Sequence, residues 1–404
     1  MDSPDRSGIG KESLDLHATH QGKLAVVSKV PLSSRADLSR AYTPGVADVC
    51  REIARDQRLV WTYTLKANSV AIVSDGTAVL GLGDIGPYGA IPVMEGKAVL
   101  FKEFAGIDAF PICLDAEDAD IVRIIKGITP VFGGINLEDI AAPRCFEIEE
   151  ELQDLGIPVM HDDQHGAAIA VLAALINACK VTGKNLEDLK VVVCGAGAAG
   201  YAICRLLKCI GYDSNSCVPV HELIACDTEG IIYRGRPGLY HNKYKFILGD
   251  ETNTAKRTGT LADAMVGADV FIGVSIAGLV SQDMVKSMNP EPIVFSLANP
   301  VPEIMPDQAR EAGAIIIGTG RSDYPNQVNN VLVFPGIFRG ALDARATRIT
   351  DEMKIAAAHA IADYLEYPLP ERILPDPLDR GVAQAVAKAV KTAAIEGGVS
   401  RYER

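Results

Sequence analysis

Two pairs of adjacent carboxylates, Glu138-Asp139 and Asp162-Asp163, each follow an apolar segment in the middle of the chain. Carboxylates crowded at such junctions cost folding free energy unless a positive charge lies between them. A divalent ion such as Mg²⁺ or Mn²⁺ takes oxygen ligands in octahedral geometry, so three carboxylates and a bidentate substrate would largely fill its coordination sphere. The alternative is that each pair caps a helix. The spacing alone does not decide between a metal site and two caps.

A glycine-rich loop lies one helix further along the chain. The apolar segment Leu189 to Cys194 runs directly into the sequence GAGAAG at 195–200, and an apolar helix follows. In this setting the glycines allow a tight turn, close approach of the backbone to a pyrophosphate, and close helix packing. The helix N-terminus would supply N–H groups for the phosphates. The sequence therefore predicts a dinucleotide site at Gly195, Gly197, Ala198, Ala199 and Gly200.

Asp227 is the candidate partner for the cofactor ribose. It ends the next predicted strand, although it comes later after the last glycine than the usual interval of about 20 residues. The polar segment Tyr212 to Val218 could account for the extra length. A carboxylate here suits a ribose 2′-hydroxyl and so favours NAD, whereas Thr228 and the basic Arg234 and Arg236 could accommodate the 2′-phosphate of NADP. Alternatively, Asp227 only stabilises the turn that follows this predicted strand.

Tyr42 and Lys97 are candidate acid–base groups. A lysine near carboxylates and a metal can have its pKa adjusted for proton transfer, and a phenol can donate a proton to a carbanion. Asn299 follows a predicted strand, where a parallel sheet delivers side chains to a ligand crevice, and Asn329-Asn330 precede an apolar run. Neutral amides can hold a substrate carboxylate, although turn formation explains them equally well. Tyr42 and Lys97 could likewise be ordinary residues.

The bulk composition restricts the class of protein. The chain has 404 residues, of which 48% are hydrophobic and 23% charged, which suits a soluble α/β protein of two domains. A net charge of −13 argues against a nucleic-acid partner. We see no apolar run near the roughly 20 residues that span a bilayer. The first 22 residues lack the apolar core of a secretory signal, so we expect no membrane association.

The nine cysteines form no CxxC pair, and several lie within apolar segments. Such cysteines are most simply read as small buried hydrophobic residues. This pattern predicts a reducing compartment, and the cytoplasm is the default.

The hydrophobic periodicity predicts an α/β fold in two parts. Val70–Gly76 and Ala78–Asp84 read as two strands of a hairpin joined at an Asp-Gly turn, and Lys23–Lys29 reads as a further strand. After Asp163, near-continuous apolar strands alternate with helices, which is typical of a parallel, doubly wound, Rossmann-like sheet. We therefore expect an N-terminal α/β catalytic domain at residues 1–161. A dinucleotide-binding domain with C-terminal helices would occupy residues 162–404.

Longer motifs run through both parts of the chain in order. They are AYTPGVA (41–47), GTAVLGLGDIG (76–86), MEGKAVLFK (94–102), FGGINLED (132–139), HDDQHG (161–166), SLANP (296–300) and DYPNQVNN (323–330). On these motifs the chain, from about Gly22 to about Tyr364, resembles the malic enzyme family, and in particular its short bacterial type. The resemblance covers both predicted domains and is very specific.

The resemblance assigns roles to several of the candidate residues. Tyr42 corresponds to the family's general acid and Lys97 to its general base, and Asp162 corresponds to a carboxylate that interacts with that lysine. The predicted metal ligands are Glu138, Asp139 and Asp163. Asn299 and Asn330 fall where the family contacts the substrate, and Asn299 also lies where it could meet the cofactor. One departure is Ala78, which stands where the long eukaryotic enzymes carry a substrate-binding arginine.

The activity implied by the resemblance is oxidative decarboxylation of (S)-malate to pyruvate and CO₂, with reduction of NAD or NADP and a need for Mg²⁺ or Mn²⁺. A rival enzyme reading is a non-oxidative malate or oxaloacetate decarboxylase that retains its NAD. An alternative hypothesis from another class is a dinucleotide-binding regulator without catalytic activity. The retention of Tyr42, Lys97 and all four carboxylates argues against this hypothesis. We expect a small-molecule substrate and a homodimer or higher homo-oligomer.

Overall fold

The computed structural model describes residues 8–79, 81–116, 118–213 and 217–401. Of the N-terminal segment, expected to be a loose arm followed by an entry helix, residues 1–7 lie outside the described part. In the described part of the chain, four α-helices precede the first strand: α1 (Gly8–His20), α2 (Arg35–Ala41), α3 (Val46–Arg55) and α4 (Val60–Tyr63).

The first sheet has four parallel strands in the order β2-β1-β3-β4. The strands are β1 (Ser69–Ser74), β2 (Asp108–Cys113), β3 (Gly134–Leu137) and β4 (Val159–His161). Helices connect them in turn: α5 (Gly86–Ala105), α6 (Asp118–Ile128) and α7 (Arg144–Leu152). All six residues of β1 are buried, as expected for a central strand covered on both faces.

The second sheet has six strands in the order β10-β9-β8-β5-β6-β7, parallel except for the antiparallel β7. They are β5 (Lys190–Cys194), β6 (Glu222–Asp227), β7 (Gly230–Ile231), β8 (Val270–Gly273), β9 (Ile293–Ser296) and β10 (Ile316–Thr319). The chain leaves β5 in opposite directions toward β6 and β8, so a ligand crevice is expected at the carboxyl end of β5. The predicted doubly wound sheet is confirmed.

Nine helices complete this half of the described chain. They are α8 (Asp162–Thr182), α9 (Ala198–Leu207), α10 (Lys243–Glu251), α11 (Leu261–Met265), α12 (Gln282–Lys286), α13 (Pro306–Glu311), α14 (Phe334–Asp343), α15 (Asp351–Asp363) and α16 (Arg380–Glu396). Helix α8 is long and apolar enough to cross a membrane by length and composition, but 67% of its most apolar window is buried inside the protein. It is therefore a core helix of the protein, with most of its residues buried.

The C-terminal helices return to the first sheet. The ring of Phe101 on α5 lies 4.7 Å from that of Phe334 and 5.5 Å from that of Phe338, both on α14. A side chain at Gly134 on β3 would press against the Phe338 ring at 3.1 Å. Since α14 packs on the first sheet's elements, the boundary between residues 161 and 162 stays a prediction.

The predicted hairpin at Val70–Asp84 is wrong. Strand β1 pairs with β2 on one side and β3 on the other, so neither of its edges is open to the following segment. After the turn at Gly76, where φ is +74°, the described part of that segment has a single bridge between Val79 and Gly83. The strand predicted at Lys23–Lys29 is also absent, and that stretch is largely exposed.

The cysteines depart from expectation at one place. Cys209 and Cys217 form a disulfide with their Cα atoms 5.8 Å apart, so the reading of all nine as small buried hydrophobic residues is wrong for this pair. The buried free cysteines agree with that reading: Cys145, Cys179, Cys194, Cys204 and Cys226. Cys50 is exposed and Cys113 half-buried.

Candidate active site

The two carboxylate pairs lie side by side because of strand register. Leu137, the last residue of β3, is the partner of His161, the last residue of β4. The residues that follow therefore leave the sheet at the same edge, as expected for parallel strands. Oxygen atoms of Glu138, Asp139 and Asp163, the three predicted metal ligands, all lie within 4.8 Å of one another.

The backbone also contributes to this arrangement. The N–H of Asp139 donates to the Asp163 carboxylate at 2.8 Å, and Asp139 has a φ of +53°, in the left-handed region. Asn136 donates to Glu138 at 2.8 Å and so orients that carboxylate. Asp162 and Asp163 stand in the first turn of α8, where the positive end of the helix dipole favours negative charge.

Lys97 reaches this cluster from α5 and is 7% exposed. Its Nζ lies 2.6 Å from Glu138 Oε1, donates to the Asp162 carboxylate, and sits 4.3 Å from the centre of the Phe334 ring. Asn330 also donates to Asp162. The predicted contact between Asp162 and the lysine is thus present, and Asn330 holds the same carboxylate in place.

The electrostatics of the cluster follow from burial. Burial raises the pKa of Glu138 and of Asp162 to about 7, and that of Asp163 to about 6, against the opposing attraction of Lys97. Burial alone would lower the pKa of Lys97, but Asp162 and then Glu138 raise it above its ordinary value. The carboxylates outnumber the one ammonium among them. An oxygen donor set with surplus negative charge fits a hard divalent cation.

Glu149 on α7 supports the junction between β4 and α8. One carboxylate oxygen accepts the N–H of His161 at 2.9 Å, and the other lies 3.0 Å from His165 Nε2. These contacts fix the backbone on either side of the aspartate pair. The sequence analysis missed this role, although a histidine on each side of the pair was a usable signal.

The glycine loop has the geometry expected of a phosphate-binding turn. Gly195 has a φ of +113°, and a Cβ there would lie 2.5 Å from the carbonyl oxygen of Val274. A Cβ at Gly200 would collide with the carbonyl of Gly195, so only glycine allows α9 to pack this close. At Gly197 an added Cβ would meet nothing within 4 Å, so the approach to the start of α9 is open.

One cavity of about 1040 Å³ brings the two predicted sites together. Its walls include these sequence-predicted residues: Lys97, Glu138, Asp139, Asp163, Gly197, Ala198, Ala199, Asn299 and Asn330. Asp162 lies behind this wall, fully buried, in contact with Lys97. The predicted metal ligands, the lysine and the start of α9 therefore face a common volume of about 1040 Å³.

Ala78 also lines this cavity, and so do three residues that the sequence analysis did not single out, Ser13, His17 and Lys23. Lys23 Nζ donates to the carbonyl oxygen of Pro92 on α5 at 2.7 Å. Lys23 thus adds a second lysine, besides Lys97, to the described residues that line the cavity. The sequence analysis did not identify Lys23 as a cavity residue, because it predicted a strand for the segment around it.

A second cavity, of about 880 Å³, adjoins the other side of the glycine loop. Asp227 lies at its wall and is held by Arg236, at 2.8 and 2.6 Å, and by Lys245 at 2.7 Å. Burial alone would raise the pKa of Asp227, but hydrogen bonds from Arg236 and Lys245 lower it to about 2. Asp227 is therefore where a ribose partner is expected, but two cations balance its charge. Arg234 instead pairs with Asp250.

Glu303 is a buried carboxylate that the sequence analysis missed. It is fully buried beneath the loops after β8 and β9. It accepts the N–H and the hydroxyl of Ser275 at 2.8 and 3.2 Å, and the N–H of Ala298 at 3.1 Å. Because Ser275, Ala298 and Asn299 all line the large cavity, Glu303 holds two of its loops in register.

Tyr42 is the one predicted catalytic residue that this chain does not bring to the others. It caps the end of α2, its side chain is 68% exposed, and it is not among the described residues that line either cavity.

Comparisons with known proteins agree with this arrangement. Residues 21–123 match the family model described as "Malic enzyme, N-terminal domain", and residues 164–395 match "Malic enzyme, NAD binding domain". A "Bifunctional malic/malolactic enzyme" of Bacillus subtilis is 56% identical over 97% of this chain and 95% of its own length. An "NADP-dependent malic enzyme" of Halomonas elongata is 47% identical over 96% and 94%.

Solved structures give the same result. An NAD-dependent malic enzyme from Thermotoga maritima superposes with a TM-score of 0.89 at 50% identity, covering 94% of this chain and 98% of that one. A malic enzyme from Pyrococcus horikoshii gives a TM-score of 0.91 at 46% identity, covering 98% and 93%. Two family models and relatives aligned over nearly their whole length leave one conclusion: this chain belongs to the malic enzyme family.

Proposed function

We propose that this protein catalyses the oxidative decarboxylation of (S)-malate to pyruvate and CO₂, using NAD or NADP and Mg²⁺ or Mn²⁺. The observation that carries the proposal is the shared cavity. It joins three clustered carboxylates, a lysine bound to a fourth, and the N-terminus of a glycine-loop helix in about 1040 Å³. A regulator that only bound a dinucleotide would not need this buried set of opposed charges.

Glu138, Asp139 and Asp163 are the residues that would hold the metal ion. A divalent cation bound there would act as a Lewis acid toward the C2 oxygen of the substrate and would engage the carboxylates that otherwise attract the Lys97 proton. Lys97 Nζ would first pass its own proton to the hydrogen-bonded Asp162 carboxylate, whose pKa burial raises to about 7, and would then accept the proton of the C2 hydroxyl. Asp162 and Glu138 fix the position of Nζ, and the Phe334 ring shields it from solvent.

The start of α9 supports binding of the cofactor. Gly197, Ala198 and Ala199 line the cavity at the helix N-terminus, whose N–H groups suit a pyrophosphate. When bound, NAD or NADP would take the hydride from C2. Asn299, on the loop held by Glu303, faces the same volume and is suited to orient substrate or cofactor with its amide.

Recognition of the malate carboxylates would use amides and a lysine in place of the missing arginine. Asn299 and Asn330 present neutral amides to the cavity that Ala78 lines. Lys23 supplies positive charge from the segment after α1, anchored on α5 by its bond to Pro92. Removing that charge should raise KM for malate more than it lowers kcat.

A second candidate function is malolactic conversion, in which malate yields lactate and CO₂ with no net change in the cofactor. It is favoured by the printed name of the Bacillus subtilis relative, which joins both activities. The same residues would serve, because pyruvate that stays bound beside the reduced cofactor would take the hydride back before release.

The test is to incubate the purified protein with malate, Mn²⁺ and either NAD or NADP, following reduced-cofactor absorbance and measuring pyruvate and lactate. We expect reduced cofactor and pyruvate in equal amounts, and no reaction after chelation of the metal. Lactate without reduced cofactor would favour the second function. If neither malate nor cofactor is consumed, both proposed functions are excluded.

Three further proposals concern organisation. We propose a catalytic domain at residues 1–161 and a dinucleotide-binding domain at 162–404, a cytoplasmic location, and a homo-oligomer. Limited proteolysis tests the domain boundary, cell fractionation tests the location, and sedimentation tests the assembly.

A further inference from the structure

His17 on α1 is a cavity residue that the proposed mechanism does not use. It lines the large cavity together with Ser13 and Lys23, and we call these three residues the N-terminal wall. Gly96 and Lys97 of α5 line the same cavity. An imidazole that faces the same volume as the predicted base and metal ligands is a candidate for contact with the substrate.

One ring nitrogen of His17 has a hydrogen-bond partner, and the other has none among the described residues. Nδ1 lies 2.7 Å from the carbonyl oxygen of Ser13, one turn earlier on α1. Because a carbonyl oxygen only accepts, Nδ1 carries a proton and is the donor. Nε2 is shielded from solvent and makes no hydrogen bond within the described part of the chain. A shielded polar atom without a partner lowers stability, and a ligand that pairs with it removes that cost.

The N-terminal wall is held against α5 by hydrogen bonds. The N–H of Gly22 donates to the carbonyl of His17 at 3.2 Å and closes the end of α1. The N–H of Lys23 donates to Glu95 at 3.1 Å, and its Nζ donates to the carbonyl of Pro92 at 2.7 Å. Gly22 has a φ of +99°, which glycine adopts without strain, so the chain can turn here from α1 onto α5.

The ammonium of Lys23 lies beside the part of α5 that carries the predicted base. A Cβ at Gly96, the residue before Lys97, would lie 3.5 Å from Lys23 Nζ. In the described part of the chain one N–H of this ammonium is used, by the carbonyl of Pro92, so two remain for a ligand. The N-terminal wall therefore offers two nitrogens to the cavity, Lys23 Nζ and His17 Nε2.

The two carboxylates of malate differ in what they require from the protein. The C4 carboxylate leaves as CO₂, and a cation held against it would stabilise the charged ground state and slow its loss. The C1 carboxylate stays in pyruvate and keeps its charge throughout, so cationic partners suit it. The neutral amides of Asn299 and Asn330, which line the same cavity, suit the carboxylate that leaves.

We propose that His17 and Lys23 together bind the C1 carboxylate of the substrate. Because Nδ1 donates to Ser13, Nε2 donates to a carboxylate only in the doubly protonated ring, which takes the extra proton from solvent as the substrate binds. Lys23 Nζ donates to the same carboxylate. The pair supplies the positive charge that Ala78 does not. This inference rests on the proposed function, because it specifies how that function's substrate is recognised.

The kinetic test compares His17→Gln and Lys23→Gln with wild type. Each substitution should raise both KM for malate and the inhibition constant of pyruvate by about tenfold or more, because pyruvate keeps the C1 carboxylate. The kcat and KM for the cofactor should change little, as when substrate and transition state lose the same contact. A rise for malate without a rise for pyruvate would assign the pair to the C4 carboxylate and overturn the inference. A rise in KM for the cofactor instead would likewise overturn it, because Nε2 would then face the nicotinamide.

Two residues of α1 provide matched controls. His20→Gln and Lys11→Gln remove an exposed histidine and an exposed lysine that are not among the described residues lining the cavity. Both control variants should keep the wild-type constants. Helix α1 has no buried residues, so far-UV circular dichroism should be unchanged in these variants and in His17→Gln. Equal losses in His17→Gln and His20→Gln would contradict a specific contact by His17.

A binding measurement separates this inference from the proposed function. Calorimetric titration of the protein with malate and Mn²⁺, without cofactor, gives a dissociation constant that requires no turnover. Repeating it in two buffers of different ionisation enthalpy measures proton uptake. We expect weaker malate binding in both variants and a smaller proton uptake in His17→Gln than in wild type. Unchanged affinity in both variants, or unchanged uptake in His17→Gln, would overturn the inference whatever the activity. A wild type that binds malate in this way without oxidising it would instead overturn the function.

Discussion

Lys97 and Asp162 form a buried ion pair between two elements far apart in the chain, one from the middle of α5 and the other from the first turn of α8. The pair sits beside three more carboxylates, and the lysine also contacts one of them, Glu138, at 2.6 Å. A buried charge arrangement of this kind lowers the stability of the fold, because desolvation of the charged groups opposes it. Its presence therefore points to a functional role. Under the proposed function, this pair holds a proton-accepting nitrogen beside the predicted metal ligands.

Replacing Lys97 with Ala should stop malate oxidation, because the hydroxyl proton then has no acceptor. We expect a loss of about 10²–10⁴-fold in kcat. The matched control is Lys102→Ala, five residues further along α5, where the largely exposed lysine pairs with Asp108 and should be dispensable. Oxaloacetate decarboxylation should suffer less, because no hydroxyl proton needs removing there. Near-normal malate oxidation by Lys97→Ala would exclude Lys97 as the base.

Replacing Asp163 with Asn should abolish activity while dinucleotide binding persists, because the glycine loop is untouched. A readout independent of turnover is thermal unfolding: Mn²⁺ should raise the melting temperature of the wild type, and this rise should vanish in the variant. Asp154→Asn removes an exposed carboxylate outside the cluster and should keep the Mn²⁺ response. Undiminished turnover of Asp163→Asn at limiting Mn²⁺ would show that the ligand assignment is incorrect.

The fold was accessible to sequence reasoning because its signals are local. The two carboxylate pairs could be recognised because each follows an apolar run, but their spacing did not decide between a metal site and two helix caps, and the resemblance to the malic enzyme family selected the predicted metal ligands. The pairing of Leu137 with His161 in the structure brings Glu138-Asp139 and Asp162-Asp163 to one sheet edge. The glycine loop was predictable from local signals as well, since strand, turn and helix follow one another directly.

The features that the sequence did not reveal depend on packing between segments that are far apart in the chain. The Asp-Gly turn after β1 favours a hairpin locally, but β2 and β3 already occupy both edges of β1. The Phe334 ring under Lys97 and the carboxylate of Glu303 beneath Ser275 come from segments far away in sequence. The disulfide likewise joins two cysteines, Cys209 and Cys217, whose spacing matches no CxxC pair.

Asp227 should make the enzyme prefer NAD over NADP in kcat/KM. Its carboxylate stays charged throughout the assay range, because Arg236 and Lys245 hold its pKa near 2, so the preference should not change between pH 6 and 9. Asp227→Ala would release both cations toward a 2′-phosphate and should shift the ratio toward NADP by about tenfold or more. The control Asp250→Ala breaks a pair with Arg234 outside the cavities and should leave the ratio unchanged. A wild type that prefers NADP would refute the assignment.

Glu303 is expected to act as a positioning residue for the cofactor. Glu303→Gln keeps the shape but weakens the bonds to Ser275 and Ala298, so KM for the cofactor should rise several-fold while KM for malate changes little. A purely structural role would lower the melting temperature without this selective change. Glu311→Gln, at an exposed glutamate of α13, serves as the control. Equal changes in both KM values would argue against positioning.

Tyr42 should act at the other end of the reaction from Lys97. Tyr42→Phe removes only the hydroxyl, and since that side chain lies largely exposed in the single chain, folding should be unaffected. Turnover of malate should fall by about 10²–10⁴-fold, as is typical of a lost acid–base group. Dinucleotide binding should be unchanged, which can be measured by fluorescence titration.

The separation of roles between Tyr42 and Lys97 can be observed with oxaloacetate, which enters the reaction after the hydride step. The Tyr42→Phe enzyme should still release CO₂ from it, because decarboxylation needs no proton at C3. Pyruvate should then appear slowly, since the enolate has to wait for a proton from solvent. In Lys97→Ala, CO₂ and pyruvate should instead appear together. Should both variants lose malate oxidation and oxaloacetate decarboxylation to the same degree, the two residues would have to act as one coupled proton-transfer unit, because neither step would then distinguish them.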